Sequence, residues 1–349
     1  AVQEAEPGSE LEVFLVTAGP GDAIWERFSH NALWIRDNAT GLNTAYNWGI
    51  FSFEQENFVL RLVKGEMLYA MYGLDMQRMA AQYARDNREL TINPVNLTPA
   101  ERLELYRTLQ ALDNDQDRNY RYDYYRDNCS TRVRDALDAV LGGQIQARWE
   151  HEETPYSYRW HTQRLMRRDF WAGLGIDLMM GRPADEPLTA WQAMFLPLPA
   201  QRFLEDTEIL RDGGESVPLL GPRRVLNETD RPPVPEAPRA FLWPELLLGL
   251  TVALLLAGFA HLGVAGTEGG EGGGRRWAVV AFALVGAFWM GVLGTVGSLM
   301  IFLWGFTDHV FTSSNVNVLQ ANPLAFVLGA LLLLGAVRGD WGKARRWAW

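Results

Sequence analysis

Two long apolar stretches in the last third of this 349-residue chain constrain its fold more than any other feature. Phe241 to Val264 is nearly all apolar, with Glu245 near its start and His261 near its end, and Trp277 to Phe306 carries no charge at all. A bilayer core offers backbone amides no water, so a segment of this length and composition is expected to cross it as an α-helix. A third stretch, Pro323 to Val337, has 15 residues and reaches spanning length only if Val318 to Asn322 joins it, which gives spans near 241–264, 277–306 and 318–337. Arginines set the orientation. The Gly-rich linker from Gly266 to Gly274 ends in Arg275-Arg276, and the tail holds Arg338, Lys343, Arg345 and Arg346, whereas Thr307 to Asn322 has only Asp308 and His309 as titratable residues. By the positive-inside rule the linker and the C-terminal tail are cytoplasmic, and residues 1–239 lie on the outer face. A start at Ala1, with neither Met nor an apolar leader, is what signal-peptide cleavage would leave.

Charge is unevenly placed. Residues 1–239 carry 37 Asp and Glu against 26 Lys and Arg, while residues 240–349 carry 5 against 6. So acidic an outer portion does not suit electrostatic binding of nucleic acid or of an anionic bilayer. The organisation expected is an extracytoplasmic domain over 1–230, a proline-rich linker over 231–239 and a membrane domain over 240–349.

Within the outer domain, Cys129 is the only cysteine of the chain, so no internal disulfide is possible. It sits in Asp127-Asn128-Cys129-Ser130-Thr131-Arg132, where a tyrosine-rich run ends and a helical pattern begins: Val133, Ala136, Leu137, Val140 and Leu141 recur at helical spacing before Gly142-Gly143. About 100 positions earlier, His30 precedes the apolar run Ala32-Leu33-Trp34-Ile35. A thiol in the first turn of a helix meets unpaired amides that favour thiolate, a neighbouring histidine can take its proton, and the Cys129 amide could serve an oxyanion. From position alone, a small buried hydrophobe is the commoner role for such a cysteine, and a hydrogen-bonded core residue suits His30 equally.

The remaining pattern is mixed α and β. Leu11 to Thr17 reads as a strand, and Asp22 to Glu26 as the opening of a short helix. Asn31 to Arg36 and Thr44 to Phe51 read as a hairpin about the turn Asp37 to Gly41. Leu74 to Asn87 reads as a helix, Thr98-Pro99-Ala100-Glu101 is a capping box opening another, and Tyr120, Tyr122 and Tyr124 alternate with charge as in a strand or extended arm.

Several of these segments carry a resemblance. Phe28-Ser29-His30-Asn31, Tyr46-Asn47-Trp48-Gly49-Ile50-Phe51-Ser52-Phe53 and Tyr122 through Asp135 look like the periplasmic domain of the Lnb family of lipoprotein N-acyltransferases. The likeness continues through Trp171 to Asp177, Met194 to Pro197, His309 and Asn315-Val316-Asn317. One departure is Ser29, where the resemblance leads one to expect glycine. The resemblance implies an α+β, permuted papain-like (NlpC/P60-like) domain followed by an all-α transmembrane domain, in a bacterial inner membrane. It implies Cys129 as nucleophile, His30 as general base and then acid, and a polar group on the following strand to orient the imidazole, for which Asn47 is the candidate. Asn128 with the Cys129 amide would serve an oxyanion, Arg132 and Arg134 would hold a phosphate head group, and His309, Asn315 and Asn317 would line the path of the acyl donor. The reaction implied is ping-pong transfer of a fatty acyl chain from a phospholipid, through a Cys129 thioester, to the N-terminal amine of a lipoprotein.

Two other functions fit the residues: a membrane-anchored cysteine peptidase or amidase acting on cell-wall peptides, and a non-enzymatic envelope scaffold. Gln144 to Arg239, rich in Trp, Arg and Met, is a lid, a surface lying in the headgroup layer, or ordinary core. Phosphate loop, dinucleotide fingerprint and CxxC are all lacking, and His151 among Glu150, Glu152 and Glu153 has the wrong spacing for one ion, so neither metal nor organic cofactor is expected.

Overall fold

The computed structural model describes residues 6–52, 54–239, 242–265 and 276–338. The chain divides into two compact units, Ala1–Ala172 with Asp185–Pro238 and Gly173–Ala184 with Arg239–Trp349. The Gly266–Arg275 linker and the tail beyond Arg338, on which the orientation argument turns, lie outside the described residues, as does the expected span start at Phe241.

The first unit is built on strands β1 (Leu11–Ala18), β2 (His30–Asp37), β3 (Leu42–Ile50), β4 (Leu68–Asp75), β5 (Leu90–Pro94) and β6 (Asn119–Arg121). Two small antiparallel two-stranded pairs follow, β7 (Glu153–Ser157) with β8 (Pro187–Thr189), far apart in sequence, and β9 (Glu208–Leu210) with β10 (Ser216–Pro218), a hairpin, before β11 (Arg224–Asn227). One seven-stranded antiparallel sheet runs in the order β11-β5-β1-β2-β3-β4-β6. Helices α1 (Phe58–Lys64), α2 (Met76–Arg85), α3 (Pro99–Leu112), α4 (Cys129–Val140), α5 (Gln144–Trp149) and α6 (Tyr158–Met166) surround or extend it; α7 (Phe170–Met179) runs from this unit into the second, and α8 (Ala190–Ala193) and α9 (Pro197–Glu205) belong again to the first.

Both faces of the sheet are covered, which explains why β1 reads as a continuous apolar run. Successive side chains of a strand point to opposite faces. Val13 and Leu15 accordingly join Leu105 and Leu109 of α3, Val133 and Leu137 of α4 and Leu204 of α9, while Phe14 and Val16 join Met76 and Met79 of α2. Because neighbouring strands are antiparallel, Ala18, His30, Ile50, Leu68, Leu90, Arg121 and Asn227 all fall at one end of the sheet.

Several boundaries differ from expectation for local reasons. The helix expected from Leu74 starts at Met76, because Leu74 and Asp75 complete β4 and the Asp75 side chain accepts from the Arg78 amide as its cap. Only Asn119–Arg121 of the tyrosine run is strand. Beyond it Asp123 Oδ1 accepts from the amides of Tyr125 and Arg126 and turns the chain. In the segment from Gln144, Trp149, Met166, Met180 and Met194 are buried, whereas Trp171 is exposed.

The second unit contains α10 (Trp243–Ala265), α11 (Arg276–Phe306) and α12 (Leu324–Arg338). Three helical stretches in it are long and apolar enough to span a bilayer. The third is α-helical only from Leu324, not from Val318, because residues 310–319 form two 3-10 turns. Gly286 and Gly294 of α11 let Leu332 and Phe326 of α12 approach closely, and Gly297 does the same for the backbone of Ala321 and Asn322 ahead of α12, as helices without a hydrophobic driving force between them require.

Leu137 lies fully buried where α4 meets the sheet. Replacing it with alanine should cost about 3 kcal/mol, read as a lowered unfolding midpoint of the detergent-purified chain; an unchanged midpoint would show that α4 is not held by this core.

Candidate active site

The first turn of α4 and the first residue of β2 meet at the end of the sheet just defined. Asn128 builds that turn: its Oδ1 accepts from the amides of Ser130 at 2.8 Å and Thr131 at 3.0 Å, while Thr131 Oγ1 accepts from the Asn128 amide at 2.8 Å. Its Nδ2 donates to the carbonyls of Tyr124 at 3.1 Å and Phe195 at 3.0 Å. Cys129 is therefore the first residue of the helix, and its N–H makes no hydrogen bond among the described residues. A second buried network ties this turn to β2. Asn31 Nδ2 donates to Ser130 Oγ at 3.3 Å and to the Pro197 carbonyl at 3.4 Å, and Ser130 Oγ donates to the Met194 carbonyl at 2.7 Å.

These contacts bring Cys129 into hydrogen-bond contact with His30. On the other side of the ring, His30 Nε2 lies 3.0 Å from Asn47 Oδ1. The amide orientation of Asn47 is set by its Nδ2, which donates to the Ala45 carbonyl at 2.8 Å. With Oδ1 an acceptor, Nε2 carries the hydrogen, and Nδ1 is the nitrogen left to face the thiol. Neutral His30 is thus held in the tautomer that accepts a proton from sulfur.

The electrostatics agree with that geometry. Burial pushes the Cys129 thiol up, but the charge and hydrogen bond of His30, with the amides of Asn31 and Ser130 directed at the sulfur, outweigh it and lower its pKa. Burial likewise pushes His30 down, and a smaller push in the same direction comes from Arg88, yet Cys129 and Asn47 prevail and raise its pKa. The two shifts favour a thiolate–imidazolium pair. On the β3 side Gly49, with φ +89°, approaches the cysteine closely: a Cβ there would lie 3.5 Å from that of Cys129. Next to it, Tyr122 stacks on Tyr69 at 3.9 Å.

Ser29, just before the histidine, has φ 70° and ψ −169°, a region that favours glycine. The glycine expected from the resemblance thus has a backbone reason, and among the described residues no hydrogen bond links the Ser29 hydroxyl to the imidazole. Buried Arg88 fastens the loop ahead of His30, donating from Nε to the Gly19 carbonyl at 3.0 Å and pairing with Glu26 at 3.3 Å.

The remaining candidate residues are placed differently from expectation. Asn128 spends both amide hydrogens on carbonyls, so its side chain has no proton left for an oxyanion, whereas the Cys129 N–H does. Arg132 forms a two-pronged pair with Asp127 and lies over the Tyr120 ring. Arg134 is buried against Trp191, donates to its carbonyl at 2.6 Å and pairs with Asp135, an arrangement that fixes α4 rather than presenting a charge to phosphate. In the second unit, Asn315 and Asn317 both donate to the Leu178 carbonyl, at 2.7 and 3.2 Å, and so fasten the 173–184 segment; His309 caps a 3-10 turn. Asn31, Ser130, Gly49 and Arg88 were not singled out from the sequence. The positions of Asn31 and Ser130 beside His30 and Cys129 are the only signal for them.

Two outcomes follow from this geometry. Esterase or acylation rate should rise with pH through the depressed thiol pKa and fall as the imidazolium deprotonates through its raised pKa. Asn47→Ala removes a bond that raises the imidazole pKa, so its alkaline limb should move to lower pH, with a rate loss of about ten-fold or more; a pH–rate profile with an unmoved alkaline limb would exclude Asn47 as the positioning residue. Ser29→Gly should raise the melting midpoint by the equivalent of about 1 kcal/mol, and a lowered midpoint would mean that the hydroxyl contributes more than the strain costs.

Comparison with known families places two matches on the chain. Residues 2–164 match the Lnb N-terminal periplasmic domain, and residues 277–344 match the Lnb transmembrane domain. Searches of curated proteins and of solved structures returned no match. The first match contains His30, Asn47 and Cys129, and the second contains α12 and all but the first residue of α11. With an α+β periplasmic domain ahead of apolar helices that span the inner membrane, the chain belongs to the Lnb family.

Proposed function

We propose that the chain is a membrane-bound thiol acyltransferase that moves a fatty acyl chain from a phospholipid to the N-terminal amine of a lipoprotein. Family membership supports a membrane-bound, lipoprotein-modifying enzyme. The observation that carries the chemistry is the line Cys129, His30, Asn47, in which a thiol of lowered pKa faces an imidazole of fixed tautomer.

In the first half-reaction the Cys129 thiolate attacks the ester carbonyl carbon of the phospholipid. The C–S bond forms, the ester C–O bond breaks, and the His30 imidazolium gives its proton to the departing lysophospholipid oxygen. The N–H of Cys129 is the donor available to the tetrahedral oxyanion. In the second half-reaction the α-amine of a lipid-modified N-terminal cysteine attacks the thioester carbonyl. His30 takes the amine proton, the C–S bond breaks, and the thiolate is restored as the amide is completed. No redox step and no co-reactant beyond the two substrates is needed. Arg275, Arg276 and the basic tail favour a cytoplasmic C-terminus by the positive-inside rule.

The test is intact-protein mass spectrometry of the purified chain after exposure to phospholipid. An acyl adduct that is labile to hydroxylamine, absent in Cys129→Ala and discharged by a diacylglyceryl-cysteine peptide is expected. An adduct discharged by water at the same rate with and without the peptide, or no adduct on a folded and thiol-reactive protein, would overturn the transfer reading and favour an amidase or peptidase.

A further inference from the structure

We propose that the active-site end of the sheet in the first unit is a membrane-penetrating surface, with Ile24 and Trp25 on one loop and Val59, Leu60 and Val63 on another entering the outer-leaflet interface beside the Cys129–His30 pair. Topology brings these residues together. The β1–β2 connection, which holds the 3-10 helix Ile24–Phe28, ends at His30, and the β3–β4 connection, which holds α1, begins just after Gly49. Both connections leave the same end of the sheet that carries Cys129.

What they expose is unlike ordinary surface. Trp25 is 66% exposed, Val59 69% and Leu60 52%, with Ile24 and Val63 also open to solvent. None of the five belongs to the two buried cores. Large apolar side chains exposed together on neighbouring loops mark an interaction surface, and a tryptophan with aliphatic neighbours suits the bilayer interface.

The path of the chain identifies the partner as a membrane. β11 ends at Asn227, at this same end, and the proline-rich segment that leads toward α10 is held against the loop ahead of His30: Arg231 pairs with Asp22, and its Nε donates to the Asn87 carbonyl at 2.8 Å. Farther along, Arg164 and Arg167 of the same unit donate to the carbonyls of Pro235 and Ala237. The other departure from the first unit, after Ala172, is tied to the same loop by the Arg27–Asp169 pair at 3.2 Å, next to Trp171, which is 69% exposed. Chain bound for the bilayer therefore departs beside the reactive pair. A protein surface as occupant is the less economical reading, since the lipid is at hand wherever the spans are inserted. This surface would present the thiolate at the depth of a glycerol ester, so it deepens the transferase reading, although it does not require that the acceptor be a lipoprotein.

The experiment places nitroxide labels at Trp25→Cys and Leu60→Cys, each in a full-length Cys129→Ala chain reconstituted in phosphatidylethanolamine–phosphatidylglycerol vesicles. A control label goes at Glu215→Cys, in the exposed β9–β10 turn. That turn lies at the opposite end of the sheet, where Asn96, just past β5, donates to the Pro218 carbonyl. Collision of the label with a water-soluble nickel chelate is expected to be at least about five-fold lower at both loop positions than at the control, with oxygen collision raised. Aqueous values at either loop position would overturn the proposal. Because Cys129→Ala turns over nothing, the depth reading stands apart from any failure of acyl transfer.

Discussion

Asn128 is the residue on which the site depends. Its side chain closes the first turn of α4 by accepting two amides and, through its own amide hydrogens, fastens that turn to Tyr124 and Phe195. Without that cap Cys129 would be a frayed terminal residue, and the Ser130 amide that helps His30 lower its pKa would lose its direction. The Asn31–Ser130 bond then joins the turn to β2 one residue past His30, so Cys129 and His30 are positioned by adjacent residues of one buried network. Such a network is rigid because each unmade bond in it would leave a polar group buried and unpaired.

The rest of the first unit supports this junction. The sheet is sandwiched between α3, α4 and α9 on one face and α2 on the other, which makes β2 and β3 a stiff frame for His30 and Asn47. The imidazole is held between sulfur and amide oxygen, and the direction of the Asn47 amide is set in turn by the Ala45 carbonyl. Strain enters at one neighbouring point, Ser29, where the chain must bend sharply to bring His30 out of the Arg88-anchored loop and into the strand. The proline-rich segment is tied to the same loop by the Arg231–Asp22 pair.

Much was legible from residue order alone. The spans follow from uncharged apolar length, and α11 runs within a residue of the expected bounds. The capping box at Thr98 and Glu101 opens α3 as its sequence signature requires. The helical spacing after Cys129, closed by Gly142-Gly143, made α4 readable. The Asp37–Gly41 turn joins β2 and β3 as a hairpin, so the pairing of Ala32 with Asn47 that brings Asn47 near His30 follows from local register. Motif resemblance supplied the connection between the two distant segments.

The roles of polar side chains were not legible, because a hydrogen-bonding group reveals its partner only once the fold is closed. Arg134 and Arg132 look like free cations on a helix and are instead occupied by Trp191, Asp135 and Asp127. Asn315 and Asn317 look like residues of a substrate path and instead hold the carbonyl of Leu178, about 140 residues away. By itself the sequence determined the membrane spans and the strand and helix order, since these rest on apolar periodicity, capping and local turns, and the resemblance pointed to Cys129 and His30 as the candidate pair. Only the tertiary structure decided which nitrogen of His30 faces the thiol, which amides are free for an oxyanion and which loops share the active-site end of the sheet, since each depends on contacts between segments far apart in the chain.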